Sequence, residues 1–278
     1  MVKKFLKDKV AIMCVLIITF IIILGIFAKQ IAPNDPYIQN IAHKYAGSSI
    51  QYPLGTDALG RCILSRLIYG VRTTLFIAFL TMIGTIFVGS LVGIISGFFG
   101  GIIDEILMRF CDIMMSFPSQ VMILAIVGIL GVGINNVVFA YIIVKWTWYA
   151  RMIRGFVLEH RHKNYMYYSQ VIKSKRSYII FKHIIPNILS EIAVLATLDM
   201  GWVILNISTL SFLGLGVQAP TPEWGLMLSD AKNVISTRPE QMIAPAVLIF
   251  VVVATFNLLG DCFRDLLDIK GESLDVKS

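Results

Sequence analysis

Apolar residues run almost unbroken from 10 to 28 (VAIMCVLIITFIIILGIFA), with Thr19 the one polar side chain among nineteen. A helix of that length rises about 28 Å, close to a hydrocarbon core of about 30 Å. Comparable runs recur at 73–97, 105–131, 136–156, 188–213 and 243–262, so the pattern predicts an all-α integral membrane protein with six transmembrane helices. The third run opens on Asp104, Glu105, Arg109 and Asp112 and holds Pro118, which removes a backbone hydrogen bond and predicts a kink. Gly89, Gly93 and Gly97, four residues apart, predict a close helix–helix contact on the second run.

Composition fits this reading. Of 278 residues, 57% are hydrophobic and only 15% charged, against about 25% charged in a typical soluble domain. The mean hydropathy is +0.78. The net charge of +7 sorts by loop instead of forming a basic patch interleaved with aromatics, so no nucleic acid is expected as a partner. With the N-terminus inside, fifteen Lys and Arg fall on inner segments and seven on outer ones, which places both termini in the cytoplasm. The Lys3, Lys4, Lys7 and Lys9 cluster precedes an apolar run longer than a signal peptide's and no A-x-A site follows, so the first span is expected to stay uncleaved. The expected layout has four parts. Residues 1–31 are a cytoplasmic tail and the first span, and 32–71 an extracytoplasmic segment with Pro33, Pro36 and Pro53. Residues 72–262 are a five-helix membrane domain and 263–278 a cytoplasmic tail. Within the membrane domain, 157–187 is the one sizeable cytoplasmic stretch, polar, basic and predicted helical over 164–182. The location is the cell membrane, multi-pass, with lipid as the surrounding partner.

No GxxxxGK[ST] phosphate loop, HExxH or GxSxG occurs, so the chain is expected to be non-catalytic and to hydrolyse no ATP itself. Cys14, Cys62, Cys111 and Cys262 form no CxxC, His160 and His162 read as part of a solvated basic loop, and no resident metal or cofactor is expected. Charges inside spans face the bundle interior, where they mark a pathway or a pairing. Lys145, Asp112, Glu191 and Asp199 are the candidates, the last two being eight residues apart on one helical face. The pairing alternatives are Glu191 and Asp199 with Lys145, Arg109 or a partner subunit, and Lys145 with Asp112, Asp199 or a partner's carboxylate.

A series of motifs then stands in order along the chain. It begins with Pro53-Leu54-Gly55-Thr56-Asp57, Leu59-Gly60-Arg61 and Ile63-Leu64-Ser65-Arg66-Leu67-Ile68-Tyr69-Gly70. Met108-Arg109 with Asp112, Phe117-Pro118-Ser119, Trp146 with Tyr149-Ala150-Arg151, and His183-Ile184-Ile185-Pro186-Asn187 follow. Ser211-Phe212-Leu213-Gly214-Leu215-Gly216-Val217, Pro220-Thr221-Pro222-Glu223-Trp224-Gly225 and Phe256-Asn257-Leu258-Leu259-Gly260-Asp261 complete it. The series resembles the second permease subunit of the dipeptide, oligopeptide and nickel ABC importers.

That resemblance implies a type I importer core, a homologous partner permease, two ATPase subunits that bind the ATP, and an extracytoplasmic solute-binding protein. It also implies a short cytoplasmic helix that docks in an ATPase groove. By alignment backwards from Pro186 this helix involves Tyr165, Tyr167, Tyr168, Ser169, Lys173, Ile185 and Pro186. Here the chain departs from the family, which has Glu-Ala-Ala where Tyr167-Tyr168-Ser169 stand and Gly in place of Lys173. Cys62 likewise stands where the family commonly has Asp. Lys44-Tyr45-Ala46-Gly47, Cys111-Asp112 and Lys145-Trp146-Thr147-Trp148-Tyr149 are closer to the nickel members. With only His43 of four histidines on an outer segment, import of a metal as its chelate is expected, with di- or oligopeptides as the alternative cargo. The alternative of another class is a stand-alone secondary transporter or channel, which would carry its site at broken helices within inverted repeats.

Overall fold

The structure, a computed structural model, describes residues 8–172 and 174–275. The helices are α1 (Lys9–Ile26), α2 (Ala28–Ile31), α3 (Ile63–Phe99), α4 (Gly101–Met115), α5 (Ser119–Leu130), α6 (Ile134–Arg161), α7 (Asn164–Val171), α8 (Arg176–Phe212), α9 (Trp224–Ala231) and α10 (Glu240–Asp275). Among the described residues there is no strand, only an isolated bridge between Thr56 and Cys62.

Four helices, α1, α3, α8 and α10 as far as Leu266, are long and apolar enough to cross a membrane. The α4–α5 pair, bent by 83°, makes a fifth if it is one broken span. The break falls where Pro118 predicts it. Ser116 closes α4 through its N–H to Asp112, and α5 restarts beyond a residue that has no N–H to donate. The predicted fourth span coincides with α6, yet α6 lies outside the apolar set. Asn135, Asn136, Lys145, Arg151 and Arg154 dilute it, while Tyr141, Val144, Tyr149, Ala150, Ile153 and Val157 are buried in protein. Arg151 and Arg154 are paired with Asp112 and Asp104, which offsets the cost of carrying those charges on this helix. Two bounds also differ from the sequence pattern. α3 starts at Ile63, ten residues ahead of the predicted 73, and its 37 residues span roughly 55 Å, more than a bilayer core.

The second correction concerns the predicted helix over 164–182. α7 has only eight residues and the chain re-enters a helix at Arg176 after an extended Lys175 (φ −60°, ψ 139°). The N–H of Ser174 turns back onto the carbonyl of Ser169. The apolar residues around the break, Val171 and Ile172, are exposed, so no buried stripe holds the segment straight. Further on, a π turn over Ile180–Ile184 leads into Pro186. Pro186 cannot donate to the carbonyl one turn before it, and the wider turn keeps its ring clear of that carbonyl.

The chain divides into two compact units, each with its own core. The first comprises the described parts of Met1–Phe79, Gly131–Val137 and Thr197–Ser278. In it α1 and α9 both pack on α10. Gly25 lets α1 approach Val71, Gly201 faces Asn257, and Gly260 faces Leu198.

The second unit comprises Leu80–Leu130 and Val138–Ala196. The predicted glycine contact is made here, against α6. A Cβ on Gly89 would lie 2.5 Å from Tyr149 Cβ, one on Gly93 2.6 Å from the Ala150 carbonyl, and one on Gly97 2.8 Å from Val157 Cβ. The Gly93 neighbour is backbone and cannot swing aside. Gly93→Val is therefore expected to destabilise the protein by about 3 kcal/mol, the upper end for overpacking. Gly128→Ala, which meets open space, should leave the thermal midpoint in detergent unchanged. Equal midpoints for the two variants would refute the close packing.

Candidate functional site

In the first unit, Asp57 organises a buried ion network. Its Oδ1 accepts the N–H groups of Leu59 (2.9 Å) and Arg61 (3.0 Å), and its Oδ2 receives Arg61 Nε at 2.6 Å and Arg66 Nε at 3.6 Å. The turn that allows this has Gly60 at φ +72°, where a side chain would strike the Asn40 carbonyl. Arg61 also reaches Asp230 at 3.2 Å, and Arg66 donates to the carbonyls of Pro36 and Pro220. The two arginine side chains are 3% and 1% exposed. Burial pushes the Asp230 carboxyl up, against the pull of Arg61 and Arg66.

A second anchor sits beside it. Glu223 is fully buried at the N-terminus of α9, accepts the N–H groups of Gly225 (2.9 Å) and Leu226 (2.8 Å), and takes the Thr74 hydroxyl at 3.3 Å. Its burial pushes the carboxyl pKa up against those hydrogen bonds. Trp224 donates its indole N–H to Leu67 in the space left by Gly70. The Leu-Gly-Thr-Asp and Glu-Trp-Gly motifs thus both fasten to the N-terminal part of α3. In the sequence they were family marks without a task.

In the second unit, the charged residues of α4 and α6 pair with each other. Arg154 grips Asp104 with two 2.6 Å bonds, and Ser96 donates to the same carboxylate. Arg151 holds Asp112. Glu191 is paired with His160 Nε2 at 3.2 Å, and His160 Nδ1 lies 2.9 Å from the Tyr165 hydroxyl. Three sequence expectations change accordingly. Glu191 is partnered by His160, where Lys145, Arg109 or a partner subunit was expected. Asp112 is taken by Arg151 and is unavailable to Lys145. His160, expected in a solvated loop, has a side chain only 14% exposed. Glu191 and Asp199 also fall in different units. The His160–Tyr165 half was within reach of the sequence, since a two-residue turn joins α6 to α7. Glu191, 31 residues beyond His160, was not.

Tyr165 opens α7, where burial, with Glu191 adding to it, pushes its phenol pKa up. Met166 and Ser169 face inward, Ser169 bonding the Tyr165 carbonyl at 2.8 Å. Tyr167 (51%) and Tyr168 (71%) are exposed. Ile185 and Pro186 begin the regular part of α8, and Lys173 lies outside the described residues. Lys145, half-buried on α6, has no carboxylate oxygen within 4.0 Å among the described residues.

A family profile for the inner membrane component of binding-protein-dependent transport systems matches residues 89–270. The chain belongs to this family. A second profile, the N-terminal transmembrane domain of oligopeptide transport permease C, matches residues 1–47 of the permease. The permease is 40% identical over 273 residues to the metal-staphylopine import system permease protein CntC of Staphylococcus aureus, covering 98% of this chain and 94% of that one. It is 39% identical over 271 residues to the dipeptide transport system permease protein DppC of Alkalihalophilus pseudofirmus (98% and 89% covered). It is 36% identical over 256 residues to the nickel transport system permease protein NikC of Escherichia coli (92% and 92% covered). The resemblance read from the motifs is confirmed: the permease is a multi-pass cell-membrane subunit of an ABC importer. Membership of a binding-protein-dependent system also decides against a stand-alone transporter or channel, and implies a binding protein and an energising subunit in general terms.

Proposed function

We propose that the permease forms, with a homologous partner permease, the pathway by which a metal is imported as its chelate. In this reading α6 crosses the membrane as a sixth span and both termini are cytoplasmic, in line with the inner excess of Lys and Arg. Two ATPase subunits bind the ATP, one of them docking on α7, and a solute-binding protein delivers the cargo. Support for α7 as the docking surface comes from its outward Tyr167 and Tyr168 beside an anchored Met166.

The cargo class rests on Lys145, a half-buried cation on α6 with no carboxylate in reach among the described residues. A cation in that setting disfavours a bare divalent ion and favours a carboxylate-bearing cargo. The metal-staphylopine and nickel relatives point the same way. The dipeptide relative favours the second reading, peptide import, whose cargo also carries a carboxylate.

The test is uptake of radiolabelled nickel or cobalt, with and without chelator, in wild type and Lys145→Met. Selective loss of chelated-metal uptake on the order of fivefold is expected, the scale of about 1 kcal/mol of screened attraction. Unchanged kinetics at equal membrane abundance would remove Lys145 from the pathway. Competition by dipeptides but not by chelator would favour peptide import.

A further inference from the structure

At one end of the second unit lies a cavity of about 400 Å³ lined by Phe98, Phe99, Arg161, Met166, Ser174 and Arg176, with Ile179 completing the wall. Its two arginines come from different elements. Arg161 ends α6 and lies against the left-handed turn at Gly100, where a side chain would meet its Nη1 at 2.9 Å. Arg176 begins α8 with its guanidinium 5.8 Å from the Phe99 ring centroid. Among the described residues neither arginine is in an ion pair. Asp104, in the first turn of α4, bonds to Arg154 and Ser96 and feels Arg161 only at longer range. A stripe of exposed apolar side chains at four-residue spacing, Phe87 (63%), Leu91 (50%), Ile95 (42%) and Phe99 (38%), runs along α3 to the cavity.

We propose that this cavity binds the phosphate headgroup of an anionic phospholipid, with an acyl chain along the Phe87–Phe99 stripe. Charge selects the ligand: two arginines that are in no ion pair among the described residues favour an anion, and a basic pocket at the end of membrane helices is suited to a lipid headgroup. The apolar stripe selects the lipid over a free phosphate, because a soluble anion leaves it bare. The site is independent of the cargo and of Lys145.

The test uses the permease purified with its partner subunits, delipidated in detergent, and titrated with phosphatidylglycerol, phosphatidylcholine or inorganic phosphate. Phosphatidylglycerol is expected to be retained and to raise the thermal midpoint, whereas phosphatidylcholine and inorganic phosphate do neither. Each arginine should contribute about fivefold in affinity, so Arg161→Gln with Arg176→Gln weakens retention by about twenty-five-fold. Lys175→Gln, which removes an adjacent exposed charge outside the cavity, should retain the lipid. If the double variant assembles poorly, Ser174→Asp keeps both arginines, puts a carboxylate in the cavity and should displace the lipid. Equal retention by wild type and these variants overturns the site. So does an equal response to inorganic phosphate. Lipid retention that appears only after the ATPase subunits are removed also overturns it, assigning the cavity to the subunit contact.

Discussion

Replacing Tyr167 and Tyr168 together by Asp is expected to abolish cargo-stimulated ATP hydrolysis while the permease still accumulates in the membrane. Both side chains point away from the chain's own core, at 51% and 71% exposure. Surface substitutions of that kind usually change stability by no more than about 0.5 kcal/mol. Their cost falls instead on a docked state. Two carboxylates pressed into a protein contact without partners cost about 2 kcal/mol each at the low end, and about 4 kcal/mol corresponds to roughly a thousandfold weaker docking. The check is ATPase activity of the reconstituted importer with binding protein and cargo, beside an immunoblot for permease abundance. Normal stimulation in the double variant would remove α7 as the docking helix. Met166→Asp is the contrasting control. Met166 is 1% exposed, so that change should lower the amount of permease itself.

Asp57→Ala should produce the largest loss of stability. It removes the carboxylate that, among the described residues, lies within 4.0 Å of both Arg61 and Arg66, whose side chains are 3% and 1% exposed. Arg61 would keep its bond to Asp230, while Arg66 would keep the carbonyls of Pro36 and Pro220 and only a longer-range attraction to Asp230. Breaking a buried ion pair by removing one partner costs about 3–5 kcal/mol, because the remaining charge has lost its water and gained nothing. The same change frees the N–H groups of Leu59 and Arg61 in the Gly60 turn. Thermal unfolding in detergent and the yield of monodisperse protein read the effect. Arg109→Ala is the reference: its pair with Glu105 spans 4.0 Å between largely exposed side chains, so a change within about 0.5 kcal/mol is expected. A loss for Asp57→Ala no larger than for Arg109→Ala would show that the network carries little of the fold.

The sequence by itself determined what depends on neighbours along the chain. The apolar run at 10–28 became α1 within two residues at either end. Pro118 ended α4 because a missing N–H acts locally. The glycines at 89, 93 and 97 marked a close contact, since their spacing keeps them on one helix face. The ordered motifs from Pro53 to Asp261 carried the family. Tertiary structure alone decided the partners. The first turns of α3 were hidden because Arg66 lowers the local hydropathy, and it is buried only because Asp57 and the carbonyls of Pro36 and Pro220 converge on it. Glu191 could not be paired with His160 from its own span, and the break after α7 reflects the lack of a buried stripe to hold that segment straight. Periodicity reports which face of a helix is apolar. Which charge meets which across distant segments is set by how the chain closes on itself, because a buried ion is tolerated only where its counter-charge arrives with it.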